Sequence, residues 1–303
     1  MISIAMTTCN GEKFIEEQIL SLLNQTERDI EIIICDDKSN DKTLQIIERL
    51  KVQDNRIKIF KNETRLGYAK NFLKALSLCS GEYIFFCDQD DIWLPNKIEL
   101  CVLAMRKNHK IQLLLSQGYP FCENVYKQFY TKRLCVLKKL PLKKILEKCS
   151  YQGCDMALTS ELAQKVLKYS NENIIAHDWL VSVLAGVEDS VFYTKSYLMH
   201  HRIRNDSTSR TYTKTKKQFY QFINNKQIEH MEWCKSINFG MNSVQLKNFK
   251  LVYSWFIMRK KVLNEKNKCL ALCEYIPVLF TTIINRFNLR VTLRDLLSVL
   301  KEV

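Results

Sequence analysis

Through the first hundred residues, short apolar runs alternate with stretches whose apolar residues recur every third and fourth position. Ile2 to Thr7 and Ile30 to Cys35 read as buried strands, Ile57 to Phe60 as a shorter one, and the run from Tyr83 to Cys87 as a fourth. Ser80-Gly81-Glu82 supplies the turn before that fourth run. Between the runs, Phe14, Ile15, Gln18, Ile19, Leu22 and Leu23 trace one helical face, and Leu44, Ile46, Ile47 and Leu50 a second. Ala69, Phe72, Leu73 and Leu76 trace a third, after a turn at Leu66-Gly67-Tyr68. Asn10 stands where it can cap the first helix, and Asn40 or Asp41 the second. Strand and helix in alternation, joined by short loops, predict a mostly parallel sheet with helices on both faces.

The fourth run drives directly into Asp88-Gln89-Asp90-Asp91. Burying an isolated carboxylate costs several kcal/mol or more, so the strand must end there. Asp88, Asp90 and Asp91 are thereby set at the C-terminal edge of the sheet, where open α/β sheets bind ligands. A hard divalent cation carrying a phosphate answers such a cluster, whereas an acidic, solvated turn is the alternative for so short a pattern. Neither kind of glycine-rich phosphate loop is present, so phosphate must be held in another way.

Composition adds two points. Of 303 residues, 47% are hydrophobic, ample for a core, and the twelve cysteines form no Cys-x-x-Cys pair. Cys35, Cys79 and Cys87 sit in or beside apolar runs, which suggests buried free thiols and a reducing compartment rather than a disulfide scaffold. The segment Met1 to Met6 has no basic stretch and no long apolar core, and reads as a strand rather than a signal peptide. The net charge of +14 is uneven. Residues 1–131 hold 17 Lys and Arg against 18 Asp and Glu, residues 132–211 hold 13 against 8, and residues 212–303 hold 16 against 6. The basic C-terminal third suggests an anionic surface as partner, lipid headgroups or nucleic acid.

Beyond residue 95 the pattern is sparser. A helix at 95–108 precedes a fifth strand at Ile111 to Ser116, and residues 119–150 mix aromatics with basic pairs that read as a solvated face rather than a phosphate site. A helix runs from Ser160 to Tyr169, and Ala176-His177-Asp178-Trp179-Leu180 opens another, where Asp178 can serve as a simple cap or dipole partner. Adjacent His200 and His201 have no carboxylate or cysteine at ligand spacing, so a metal there is the weaker reading. The segment 212–303 is helical in period, and Leu270 to Phe287 is apolar but broken by Glu274, Pro277 and Asn285, too interrupted for a confident spanning helix. A helical bundle packed on the N-terminal part and an interfacial helix with its Lys and Arg toward headgroups are both open. No nucleic-acid module or aromatic-basic repeat is recognised.

Thr7-Thr8-Cys9-Asn10-Gly11, Asp36-Asp37-Lys38-Ser39-Asn40-Asp41-Lys42-Thr43, Asn62 to Gly67, and Ser80-Gly81-Glu82-Tyr83 to Asp91-Ile92-Trp93 resemble, in order and spacing, family 2 glycosyltransferases. The resemblance covers roughly residues 1–205, and Asp88 to Lys97 is most similar to the bacterial rhamnosyltransferase-like branch. It implies a GT-A fold, Rossmann-like, with a mixed and mostly parallel sheet, helices on both faces, a catalytic domain over 1–211 and a basic, mainly helical extension over 212–303. It implies an inverting, metal-dependent transfer from a nucleoside-diphosphate sugar, dTDP-rhamnose or UDP-sugar in type, to a saccharide acceptor, polyprenyl-linked, in bacterial cell-surface polysaccharide synthesis. Thr7, Cys9 and Asp37, with Asp36 as neighbour, would hold base and ribose, and Cys9 stands where the family commonly has a tyrosine. Asp88 and Asp90 would bind Mg2+ or Mn2+ and the diphosphate, with Asp91 as a third member. Gln152 to Leu158 resembles the Gly-Cys segment that lines the sugar site, and the nucleotide-sugar set includes Asn10, Gly67, Asn71 and Gly153. The Asp of the His-Asp-Trp pattern, Asp178, would be the base, with His177 as its rival. Tyr197 to Asp206 resembles a Tyr-Arg-x-His segment closing over the diphosphate; His201 takes the tyrosine position, Arg204 the histidine position, and Arg202 and Arg204 would contact phosphate. The resemblance implies a cytoplasmic enzyme, peripheral on the inner face of the plasma membrane if the basic third binds lipid, with no nucleic-acid partner. The alternative is a non-catalytic relative that binds nucleotide or membrane as a partner protein.

Overall fold

The computed structural model describes residues 1–122, 131–148, 151–170, 174–204, 216–237, 239–264, 268–285 and 291–293. They fall into two compact units, residues 1–141 with 150–204, and residues 142–149 with 205–303. The boundary expected at 211 lies outside the described residues.

The first unit is built on one sheet. Its elements run β1 (Ile2–Thr8), α1 (Ile15–Leu23), β2 (Ile30–Asp36), α2 (Thr43–Gln53), β3 (Ile57–Lys61), α3 (Tyr68–Ser77) and β4 (Tyr83–Cys87). They continue with β5 (Ile92–Trp93), α4 (Lys97–Lys107), β6 (Leu113–Phe121) and β7 (Lys138–Lys139). After α5 (Leu142–Lys148), which belongs to the second unit, come β8 (Met156–Thr159), α6 (Ser160–Tyr169), α7 (His177–Val187) and β9 (Val191–Arg202). The strand order is β3-β2-β1-β4-β8-β6-β9-β5, with β7 paired to β9. The pairs among β1 to β4 and the β6–β9 pair are parallel, whereas β8 is antiparallel to both its neighbours.

Register explains where a site can form. Ile4 of β1 lies between Ile32 and Phe85, and Thr8 lies opposite Asp36, so the chain leaves β1, β2 and β4 along one edge. On one face Ile4, Ile32 and Phe85 join Ile19 of α1, Ile47 of α2 and Val102 of α4 in a single core. On the other, Phe86 meets Phe72 of α3 edge-on, with ring centroids 5.5 Å apart. Each fully buried Ile or Phe contributes roughly 1.5–3 kcal/mol, so a strand buried on both faces tolerates no charge until it leaves the sheet.

Local expectations differ from the structure at three points. Asn10 does not cap α1; its φ of 51° turns the chain, and its Oδ1 accepts the Asn40 N–H across the loop pair. Lys42, rather than Asn40 or Asp41, is the N-cap residue of α2, and Asp41 before it accepts the Thr43 N–H. The strand expected to stop at Ser116 runs to Phe121, because pairing with β9, through a register shift between Leu115 and Gly118, carries it past its apolar run.

The second unit is helical: α5, α8 (Lys216–Ser236), α9 (Ser243–Asn264) and α10 (Lys268–Ile284). Trp255, Phe256 and Val252 of α9 form its buried centre, where Arg259 lies over the Trp255 ring at 4.7 Å and Asn224 donates to the Phe256 carbonyl. No described helix is long and apolar enough to cross a membrane.

Candidate active site

The loops after β1 and β2 are tied together by the carboxylates that end the strands. Asp36, wholly buried, accepts from the Thr8 hydroxyl, the Ser39 N–H and the Ser39 hydroxyl, so its charge is compensated inside the loop. This also holds Lys38 in a left-handed conformation, φ 58°. Asp37 accepts from Asn62 Nδ2 and from the Leu66 and Gly67 N–H groups at 2.7–2.9 Å. Gly67 has φ 79°, which a side chain rarely adopts, and starts α3. Asn71, buried beneath, accepts from Asn62 and donates to the Cys35 carbonyl. Of the expected nucleotide set, Thr7 and Cys9 are half-buried and Asn10 and Gly67 exposed along this edge, while Asp36, Asp37 and Asn71 are buried and engaged with the chain itself.

The residue between the two expected metal ligands ties the edge together. Gln89 accepts the Cys9 N–H at 2.8 Å and donates to the Cys9 carbonyl at 3.1 Å, as a neighbouring strand would. A Cβ on Gly11 would lie 2.4 Å from Gln89 Oε1, so the clasp requires glycine there. Sequence reading passed over Gln89, because an amide between carboxylates carries no signal until its partner, eighty positions away, is known.

Asp88, Asp90 and Asp91 feel one another's charge. Burial, then the charges of Asp91 and Asp90, push Asp88 up to about 7, while a hydrogen bond from the Cys154 thiol works the other way. Burial and Asp91 also raise Asp90, against the pull of Arg204, whose Nη1 lies 2.8 Å from Asp90 Oδ2. Asp91 is 1% exposed; its Oδ1 meets His201 Nδ1 at 2.9 Å and the Arg202 N–H at 3.2 Å. Burial opposes a charged His201, but the bond to Asp91 and that carboxylate's charge outweigh it and raise the imidazole to about 9. The ligand atoms of Asp91, Cys154 and His201 lie within 4.8 Å of one another. Three distant segments supply them, so ligand spacing along the chain could not reveal the group.

A divalent cation fits these residues. The buried Asp91 Oδ2 has no hydrogen-bond partner, and burial, with like charges beside it, holds Asp88 well above the usual carboxylate range. Both costs fall when a cation joins the cluster. Behind it, buried Lys97 donates to the Cys154 carbonyl and lies 3.9 Å over the Trp93 ring, a fixed positive charge. Arg202, expected as a phosphate contact, is engaged elsewhere. Its guanidinium donates to the Asp90 carbonyl and to Glu17, and it lies over the rings of Phe14 and Phe121, so it fixes the acidic loop from beneath. Arg204 keeps its side chain at the cluster's edge, 18% exposed.

Asp178 lies in the first turn of α7, half-buried, with Oδ1 accepting its neighbour's N–H at 2.8 Å. Burial raises its carboxyl to about 6. A chain of contacts joins it to the acidic cluster. The Cys154 thiol bonds Asp88; Gly153 is so close to His177 that a Cβ would lie 2.7 Å from Nε2; and the His177 ring meets Phe86 of β4 at 5.0 Å. His177 stacks on Phe72 at 4.1 Å, is held down to about 3 by burial, and neither ring nitrogen has a hydrogen-bond partner. It is a neutral packing residue that sets the α7 N-terminus against β4, which leaves Asp178 as the base-strength group of the pair. Tyr68 closes the other side by donating to the Ile175 carbonyl, and Asp178 adds to the burial that raises its phenol.

The chain is similar to proteins already known. The family model described as "Glycosyl transferase family 2" matches residues 3–166. The dTDP-rhamnosyl transferase RfbG of Shigella flexneri is 31% identical over 202 residues, 62% of this chain and 67% of that protein. The Escherichia coli UDP-Glc:alpha-D-GlcNAc-diphosphoundecaprenol beta-1,3-glucosyltransferase WfgD is 34% identical over 154 residues, 51% of this chain and 58% of that protein. Among solved structures, S. aureus TarS 1-349 in complex with UDP-GlcNAc superposes with a TM-score of 0.64 at 20% identity, covering 96% of this chain and 82% of that one. Mannosyltransferase PcManGT from Pyrobaculum calidifontis, in complex with GDP-Man and Mn2+, gives 0.58 at 14% identity, covering 98% and 86%.

Proposed function

The chain belongs to glycosyl transferase family 2 and has the GT-A fold, and from that premise we propose that it transfers a sugar, with inversion, from a nucleoside-diphosphate donor to a saccharide acceptor. The observation that supports this reading is the run of contacts from Asp88 through Cys154 and Gly153 to His177, the residue that precedes Asp178 at the start of α7. Transfer needs both: a place for a diphosphate and a base one sugar away from it.

In this reading Thr7, Cys9, Asn10 and Gly67 line the base and ribose. Asp36, Asp37 and Asn71 hold the loops that present them. Gly153, packed against His177, backs the place of the sugar, and Arg204 exchanges Asp90 for the diphosphate. Asp88, Asp90 and Asp91, with His201 and Cys154 beside them, would hold Mg2+ or Mn2+; when bound, such an ion neutralises charge on the leaving diphosphate. Asp178 accepts the proton of the acceptor hydroxyl as its oxygen bonds the anomeric carbon, and the bond from that carbon to the diphosphate breaks with the electron pair leaving on phosphate. A carboxyl titrating at about 6 is ionised at neutral pH yet a stronger base than an exposed aspartate. The RfbG and WfgD likenesses support a dTDP- or UDP-sugar donor and a lipid-linked acceptor of a cell-surface polysaccharide pathway. A cytoplasmic position at an anionic membrane surface suits such an acceptor.

Calorimetric titration of dTDP, UDP and GDP, each with and without Mn2+, into wild type and Asp90→Asn tests the site. One nucleotide should bind in a manner that requires both the cation and Asp90. The absence of metal-dependent binding to all three would overturn the donor site and leave a non-catalytic family member.

A further inference from the structure

The second unit contains a helix with apolar residues on two opposite faces. In α10, Val278 and Thr282 point inward, 0% and 1% exposed, and the Thr282 hydroxyl accepts the Trp255 indole N–H at 3.0 Å. Outward, Ile276 and Phe280 are each 65% exposed, Ile283 60% and Ile284 62%. Their spacing, four, seven and eight residues from the first, makes them one stripe on one side of a helix. Scattered apolar residues on a surface are ordinary, but four large ones in a row with a threonine on the buried side reverse the usual arrangement.

We infer that this stripe is a docking face for the surface of a bilayer rich in anionic lipids. Charge selects the occupant. Residues 212–303 hold 16 Lys and Arg against 6 Asp and Glu, and the sequence just past the stripe brings Arg286, Arg290 and Arg294 before the next acid, Asp295. A second copy of the chain would set the same excess of positive charge against itself, whereas anionic headgroups neutralise it. The helix of 17 residues is not long and apolar enough to span, so it lies in the interface. There the apolar side chains enter the acyl boundary, and the excess of Lys and Arg in this part of the sequence favours anionic headgroups. The inference rests on this face and its charge rather than on the transfer reaction, so either can fail alone.

The test is flotation of the full chain with phosphatidylglycerol-containing vesicles and with phosphatidylcholine vesicles, at low and high salt. It compares wild type, Phe280→Asp/Ile284→Asp and the milder Ile276→Ser, with circular dichroism confirming the fold. Wild type should float with the anionic vesicles, weakly with the neutral ones, and less at high salt. The double variant should lose about tenfold or more in partition, the single variant less, with nucleotide binding unchanged. Equal binding to both vesicle types, retained partition in the folded double variant, or a wild-type dimer that the substitutions dissolve while lipid binding stays absent would each overturn it.

Discussion

Replacing Asp178 by asparagine should make the protein more stable while removing its activity. Asparagine keeps the acceptor oxygen that receives the Trp179 N–H, so the first turn of α7 is preserved. What disappears is a carboxyl whose pKa burial has raised from 3.8 to about 6. Between those values the folded chain keeps a proton the unfolded chain has released, so wild-type stability falls as pH rises through the window and is level above it. At about 1.4 kcal/mol per unit the cost comes to at most about 3 kcal/mol, less in practice because the carboxyl is only half-buried. Urea unfolding of Asp178→Asn and wild type, followed from pH 4 to pH 8, should give curves that nearly coincide at the acid end, separate up to about pH 6 and stay apart by a constant amount above it, the variant being the more stable. Turnover should fall by about two to four orders of magnitude, and the wild-type rate should rise with pH through about 6. A constant stability difference across pH would refute the buried-charge argument. Turnover retained in the variant would refute the base assignment.

Gln89→Ala removes both hydrogen bonds to Cys9; at about 1 kcal/mol each, nucleotide affinity should fall by at most about thirtyfold, measured by calorimetry. Gly11→Ala should cause a similar loss by displacing the same amide, and the double variant should be little worse than either, because the two act on one contact. Glu31, buried beside Ser3, Ser80 and Lys58, is held at about 2 against an ordinary 4.5, those bonds outweighing the effect of burial. Its contribution, discounted for the exposed Lys58 to about 2–3 kcal/mol, is present above pH 4.5 and lost as pH falls toward 2. Glu31→Gln should therefore be destabilised at neutral pH and converge with wild type in acid unfolding.

Where a signal is local, the chain states it. Runs such as Ile30 to Cys35 specify strands buried on both faces, and Asp88-Gln89-Asp90-Asp91 announces its own position, because carboxylates cannot follow Phe86 into the core. Alternation of strand and helix then dictates a parallel sheet, and with it the edge at which the loops after β1, β2 and β4 meet. Pairing between distant segments belongs to tertiary structure alone. Gln89 became a clasp only when β4 lay beside β1, and His201 a partner of Asp91 only when β9 reached its place in the sheet. The same holds for energies set by surroundings rather than residue type. Asp88, Asp91 and Asp178 are identical side chains, yet burial and then like charges raise the first, an imidazole partners the second, and burial alone raises the third. The outward stripe of α10 follows the same rule, since an apolar sequence says that a side chain avoids water but not which face the fold will cover.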